Sequence, residues 1–191
     1  GLYTDTSGFT EIVHPLDKDL RDEANIDEIL MAKYRNANMS LEDLEVAGAA
    51  LLNSDYMDEY RASIVKAGKC DPNILGVISD MVLEVDAVDI CIVFNFQGDG
   101  VKFSVRSCIK EVNASELAAE LSKDIGSGGG HRGKAGGFLP MPLLTKEYTR
   151  FCQERNFEPR MEFDDEGKWE HPSLSGVKAV LTYRFEQYMN N

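Results

Sequence analysis

Residues 125–138 read IGSGGGHRGKAGGF, and seven of these fourteen positions are glycine. Glycine reaches positive φ without strain and carries no Cβ, so neighbouring glycines can turn their N–H groups into one concavity that holds an anion. Gly128, Gly129 and Gly130 are followed by His131 and Arg132. A histidine can donate a hydrogen bond to phosphate, and does so more strongly when protonated. The same run also fits a flexible linker or a tight turn. It is not a P-loop, because the spaced G-K-[ST] ending is missing. The dinucleotide-binding spacing fails too, since the segment ahead of the glycines reads as a helix and not as a strand.

Working outward from this run, residues 114–124 read as a helix capped by Asn113, and AGGFLP leaves the glycines in a form compatible with a strand. Further upstream, VDICIVFNF, a QGDG turn and VKFSVRS make a β-hairpin. In its second strand Val101, Phe103 and Val105 share one face, while Lys102, Ser104 and Arg106 share the other. From that polar face Arg106 could close a bidentate clamp on phosphate oxygens if the strand ends near the glycines. Asp71 followed by Pro72 marks a helix start, continued by the stripe Ile74, Ile78, Met81, Val82 and Val85. YRASIVKAG ahead of it is compatible with a strand. Residues 1–16 read as a strand end or loop, and two helices, over 22–35 and from Ser40, read as a linker between domains. After Pro140 the pattern gives a helix at TKEYTRFCQER, an acidic turn at DDEGKWEH and a final helix at SLSGVKAVLTYRFEQYM, in which Phe185 and Tyr188, with Trp169 of the turn, read as packing residues. The expected fold is α/β of the mixed α+β kind: a mixed sheet with a β-hairpin flanked by helices, preceded by a helical linker.

Composition narrows the partners. The chain has 191 residues, 43% of them hydrophobic, and a formal net charge of −13. Such a balance excludes wrapping of long duplex DNA, which draws its affinity from a basic surface, yet it allows a short anionic ligand in a local pocket. No apolar run reaches membrane-spanning length and the first residues lack the order of a secretory signal, so no membrane partner and a cytoplasmic location are expected. The four cysteines, Cys70, Cys91, Cys108 and Cys152, form no C-x-x-C pair and read as reduced thiols.

A second feature lies at the start. Asp5, in TDTSGF, sits on a possible strand end from which a carboxylate can reach a metal, although it is one of 33 acidic residues. TDTSGF, a strand ending SVRS and GGGHRGKAGG together resemble, in order and rough spacing, the DHH family of phosphoesterases. In that family a metal-binding domain is joined by a helical linker to a DHH-associated domain with a GGGH-x-x-A-x-G signature; here Gly128, Gly129, Gly130, His131 and Gly136 stand at its positions, and the alanine, Ala135, comes one residue later than that spacing. The likeness covers most of residues 1–138 and is nearest the nanoRNase and pAp phosphatase branch, the exopolyphosphatase-related proteins.

The resemblance implies four segments: 1–20 as the end of the catalytic domain, 21–60 as the helical linker, 61–140 as the substrate-binding domain, and 141–191 as a helical extension. It implies that Asp5 is a catalytic residue and a ligand to a dinuclear Mn2+ or Mg2+ centre. It further implies that Arg106 grips a substrate phosphate and that Gly128, Gly129, Gly130 and His131 receive the rest of the nucleotide. The implied function is hydrolysis of short oligonucleotides or phosphorylated nucleotides, pAp-like or cyclic dinucleotides among them, by a metal-activated water. None of His14, His131 and His171 stands in an Asp-His-His string. The chain, which opens on Gly1, is therefore expected to be a fragment that is inactive alone and does not itself bind the metals. A homodimer is compatible with this reading. Two alternatives remain: a non-catalytic module that binds nucleic acid such as tRNA, and an interaction domain in which the glycines serve no ligand.

Overall fold

The computed structural model describes residues 14–23, 27, 29–30, 33, 39–163, 167 and 170–190, and the chain divides into two units, 1–40 and 41–191. In the first unit α1 (Pro15–Glu23) begins at a proline, whose missing N–H is no loss in a first turn. The His14 Nδ1 accepts the Leu16 N–H at 3.2 Å. The sequence reading has no helix starting at Pro15; within the helix it expects over 22–35, residues 29, 30 and 33 are helical, and most of residues 24–38 fall outside the described residues.

The second unit runs α2 (Leu41–Leu52), β1 (Asp55–Met57), a single 3-10 turn (Asp58–Tyr60), β2 (Ala62–Lys66), α3 (Pro72–Leu83), β3 (Ile90–Gln97) and β4 (Gly100–Ser107). It continues with α4 (Ala114–Ser122), β5 (Ser127–Gly130), β6 (Lys134–Pro140), α5 (Met141–Glu154), β7 (Met161–Phe163), β8 (Glu170–Pro172) and α6 (Leu174–Met189). Six strands form one sheet in the order β1-β2-β3-β4-β6-β5. Only β2 and β3 pair in parallel, as a strand–helix–strand crossover through α3 requires, and the other neighbours are antiparallel. This is the expected mixed sheet with its hairpin. Strands β7 and β8 make a separate two-stranded ribbon.

β3 reads as a nearly continuous apolar run because both of its faces are covered. On one face Ile92, Phe94, Phe103 and Val105 join a core with Leu117 and Leu121 of α4, Leu144 of α5 and Val177, Leu181 and Phe185 of α6. Against the other face lies α3, which packs across β3 and β4 through its buried Ile74, Leu75, Ile78 and Val82. The polar row of β4 is therefore covered in part: Ser104 is 7% exposed, while Lys102 is exposed.

Three departures from the sequence reading have physical causes. Gly128–Gly130, expected as a loop, form strand β5, because their backbone pairs with Gly137, Gly136 and Ala135 of β6. Strands β1, β7 and β8 have three residues each, too few to show a period of two. Helix α5 starts at Met141, earlier than the stretch from Thr145, with a proline in its first turn. The acidic turn expected around Trp169 falls largely outside the described residues.

A charged triad ties the last two helices to α4. Glu147 receives Arg150 at 2.7 Å and Arg184 at 2.8 Å, and Arg184 Nη1 also donates to the carbonyls of Glu120 and Lys123 at the end of α4. A cation there complements the negative end of the helix. Hydrogen bonding from Arg150, with a further contribution from Arg184, holds the Glu147 carboxyl below its ordinary value of 4.5. A carboxyl depressed by folding adds stability that is complete above its unfolded pKa and fades as the pH falls through the folded value. Glu147→Gln is accordingly expected to flatten the pH dependence of the urea midpoint below about pH 4.5. A slope identical to that of the parent chain would contradict it.

Candidate functional site

The face of the sheet that α3 covers carries a cleft of about 230 Å³, bounded by the first turns of α3 and by β4 and β6. Asp71 caps that helix, its side chain accepting the Asn73 N–H at 2.8 Å, and Pro72 occupies the first turn. Arg106 of β4 borders the cleft with its side chain 14% exposed. Its Nε donates to Asp80 of α3 at 2.7 Å and its Nη1 donates to Ser104 Oγ at 3.0 Å. Ser104 Oγ lies 3.2 Å from Ser79 Oγ, which donates to the Leu75 carbonyl. These bonds fix the guanidinium and leave Nη2, one end of the fork, without a hydrogen-bond partner among the described residues.

Gly76 makes room for that end. A Cβ at Gly76 would stand 2.7 Å from Arg106 Nη2. Glycine inside a helix costs about 1 kcal/mol relative to alanine, and passage of the guanidinium is the reason for it here. Gly76 and Asp80, one turn apart on α3, are the neighbours of Arg106 that sequence reading missed. The available signal was a glycine in a helix interior followed four residues later by a carboxylate. Cys91 stands directly opposite Arg106 on β3, where burial pushes its thiol up to about 12, so it acts as packing.

Strand register sets the rest of the site. Residues directly opposite one another share a face. Ser104 faces Gly136, and Gly136 faces Gly129. One row along, Arg106 faces Lys134; one row the other way, Lys102 faces Phe138. The Arg106 side of β4, β6 and β5 is thus a floor of two glycines with Arg106 and Lys134 at one end and Lys102 with Phe138 at the other. Lys102 and Lys134 are exposed.

The alternate glycines point the other way and serve packing. A Cβ at Gly128 would meet the Ala118 carbonyl oxygen of α4 at 2.3 Å, and one at Gly137 would meet the Phe103 ring at 2.4 Å. At Gly130, φ is 153°, and its N–H donates to Ser115 Oγ at 3.1 Å, so that amide already has a partner within the protein. An extended strand, and not a nest of amides, is what these glycines build.

His131 begins the turn between β5 and β6 and is exposed, its N–H donating to the Lys134 carbonyl at 2.8 Å. The turn is clamped from both sides: Ser107 donates to the Gly133 carbonyl at 3.1 Å and Ala114 to that of Arg132 at 2.7 Å. The end of β4, carrying Arg106, therefore does lie against this turn. Arg132 is occupied elsewhere, donating to the Lys110 carbonyl.

Asp5 lies outside the described residues. Among the described residues no three of His, Cys, Asp or Glu come together as a metal site. The described donors thus form a cationic, glycine-floored cleft suited to an anion, and they do not supply the ligand set of a dinuclear metal centre. No described helix is long and apolar enough to cross a membrane.

Residues 60–154 match the model of the DHHA1 domain family. Among curated proteins none matches the sequence. Among solved structures, an exopolyphosphatase-related protein from Bacteroides fragilis is 18% identical with a TM-score of 0.65, over 100% of this chain and 48% of that one. A pGpG-specific phosphodiesterase, PggH, from Vibrio cholerae is 14% identical with a TM-score of 0.39, over 72% of this chain and 48% of that one. RecJ from Thermus thermophilus, in complex with Mn2+, is 18% identical with a TM-score of 0.41, over 76% and 22%. The likeness to the Bacteroides protein is one of fold, and this chain spans about half of its length.

Proposed function

We propose that the chain, with its DHHA1 match over residues 60–154, is the substrate-binding part of a DHH-type phosphoesterase that hydrolyses short oligonucleotides or phosphorylated nucleotides such as pAp. The observation that carries this reading is the glycine floor of Gly129 and Gly136 set between Arg106 with Lys134 and Lys102 with Phe138. A floor without side chains lets a ligand lie close to the sheet. Cations at its two ends suit phosphates, and an aromatic ring beside one of them suits a base. In a protein of net charge −13, a local basic cleft selects short anionic ligands over long nucleic acid. His131, exposed on the turn beside Arg106 and Lys134, is proposed to donate to the same ligand. The fold shared with the exopolyphosphatase-related protein supports the assignment.

The hydrolytic chemistry is proposed to come from a Mn2+ or Mg2+ pair that activates water, with Asp5 among its ligands. Within this chain Arg106 would hold a phosphate through Nη2, the end of the guanidinium that Asp80 and Ser104 do not engage. Purified residues 1–191 are expected to bind pApA and pAp without metal-dependent turnover; robust hydrolysis would contradict the division of labour.

The reading is tested by calorimetric titration of pApA. Arg106→Ala and His131→Ala are each expected to weaken binding about tenfold, the loss that follows from one charge-assisted hydrogen bond. Unchanged affinity in both variants would sink the proposal. Tighter, salt-sensitive binding of tRNA than of pApA would favour a nucleic-acid module without catalysis.

A further inference from the structure

Helix α6 and the end of α5 border a second, open cleft of about 500 Å³, on the opposite side of the sheet from Arg106. One wall is a stripe of α6 made by Ser175, Lys178, Ala179, Thr182 and Glu186, whose spacings of three and four place them on one helix face. Tyr183 flanks this stripe, and Phe151 and Arg155 from the end of α5 and Lys66 from the end of β2 stand across from it. Arg155 and the whole of α6 follow the segment matched by the DHHA1 model, so the hairpin site does not account for them.

The chemistry of this cleft is specific. Lys66, Arg155 and Lys178 bring three cations to one cleft of a chain whose net charge is −13. The Arg155 guanidinium carbon lies 4.2 Å from the centre of the Phe151 ring and 4.1 Å from that of Tyr183. Stacking of this kind fixes the plane of a guanidinium and leaves its N–H donors in hand. Of those, Nη1 reaches the Phe151 carbonyl at 3.4 Å and lies 3.8 Å from Glu154. Lys178 pairs with Asp55, while Lys66 has no ion pair among the described residues. The acid of the stripe, Glu186, is eight residues beyond Lys178, a separation of about 12 Å along a helix. Ala179 and Thr182 lie between them, one small and one a hydroxyl.

We propose that this cleft binds a nucleoside monophosphate or a closely similar phosphorylated ring compound. Its phosphate would sit among Lys66, Arg155 and Lys178, its flat ring along Ala179 and Thr182 beside the edge of Tyr183, whose face Arg155 covers, and an amine of that ring toward Glu186. The basic end meets the anion, and the acidic end accepts from a donor that a bare phosphate lacks. The site is separate from the hairpin cleft and stands or falls independently of it.

The test is residue-resolved NMR titration of the 191-residue chain with AMP, with adenosine as the control. Saturable amide shifts are expected at Lys66 and across 175–186, about tenfold weaker binding in Lys66→Gln, and loss of the shifts in Ala179→Leu, which fills the cleft without changing charge. Adenosine is expected to bind more weakly than AMP. Unchanged spectra away from the cleft report that the variants are folded. Absence of shifts across 175–186 up to about 10 mM AMP, or equal affinity of the parent chain and Lys66→Gln, would overturn the proposal. Failure of the hairpin reading would appear at different resonances, those of residues 129–136.

Discussion

Gly128→Ala is expected to lower folding stability by about 3 kcal/mol, at the upper end of what overpacking costs. The new methyl group would stand 2.3 Å from the Ala118 carbonyl oxygen and 2.7 Å from Ser122 Oγ. Neither neighbour can give way cheaply. The first is backbone in the middle of α4, and Ser122 Oγ already donates to that same carbonyl at 2.9 Å. Relief must come from separating α4 from β5, and β5 is an edge strand that only β6 holds within the sheet. The measurement is the urea midpoint at unchanged slope, with Gly48→Ala as the control. Gly48 lies in α2 with nothing within 4 Å of an added Cβ, so alanine there is expected to stabilise by up to about 1 kcal/mol. Equal midpoints for Gly128→Ala and the parent chain would show that the strand and α4 are not packed as described.

Phe185→Ala is expected to cost about 4 kcal/mol, within the range for deleting a fully buried phenylalanine. Phe185 is 0% exposed on α6, in the core shared with Leu117, Leu121 and Leu144. Its ring meets that of Tyr60 edge-on with centroids 5.5 Å apart. Tyr60 immediately precedes the turn into β2, so one ring joins the end of the chain to the first strands of the sheet. The consequence is that residues after 154, outside the DHHA1 match, are part of the same core as the matched segment. Thermal unfolding of the variant in a single transition at much reduced midpoint would bear this out. Loss confined to α6, with the sheet retained, would show the helix to be an accessory.

Local signals carried far along this chain. The Asp71–Pro72 start of α3, the Asn113 cap of α4, the β3–β4 hairpin and the placing of Lys102, Ser104 and Arg106 on one face of β4 are all matters of a few neighbouring residues, and the structure has each of them. What could not be read is what depends on partners distant in sequence. Gly128–Gly130 have no side chains with which to show a strand's period, and only pairing with β6 makes them one. The Arg106–Asp80 pair and the gap at Gly76 exist because a crossover lays α3 over β4. Charge patterning did not separate Lys66, Arg155 and Lys178 from ordinary surface residues, since they come from three different elements. Asp5, legible as a candidate from its motif, has no described environment against which to read it.

Because Asp80 and Ser104 already hold the Arg106 side chain in one rotamer, its conformational freedom, about 2 kcal/mol for an arginine, is surrendered during folding and would not be lost on arrival of the proposed phosphate. Preorganisation of this sort lets a single charged contact act at nearly full strength. On the proposed reading lysine would not substitute here, because its donors radiate from one nitrogen whereas separate guanidinium nitrogens meet Asp80 and Ser104 and leave a third for the phosphate, so charge conservation alone would not preserve the arrangement.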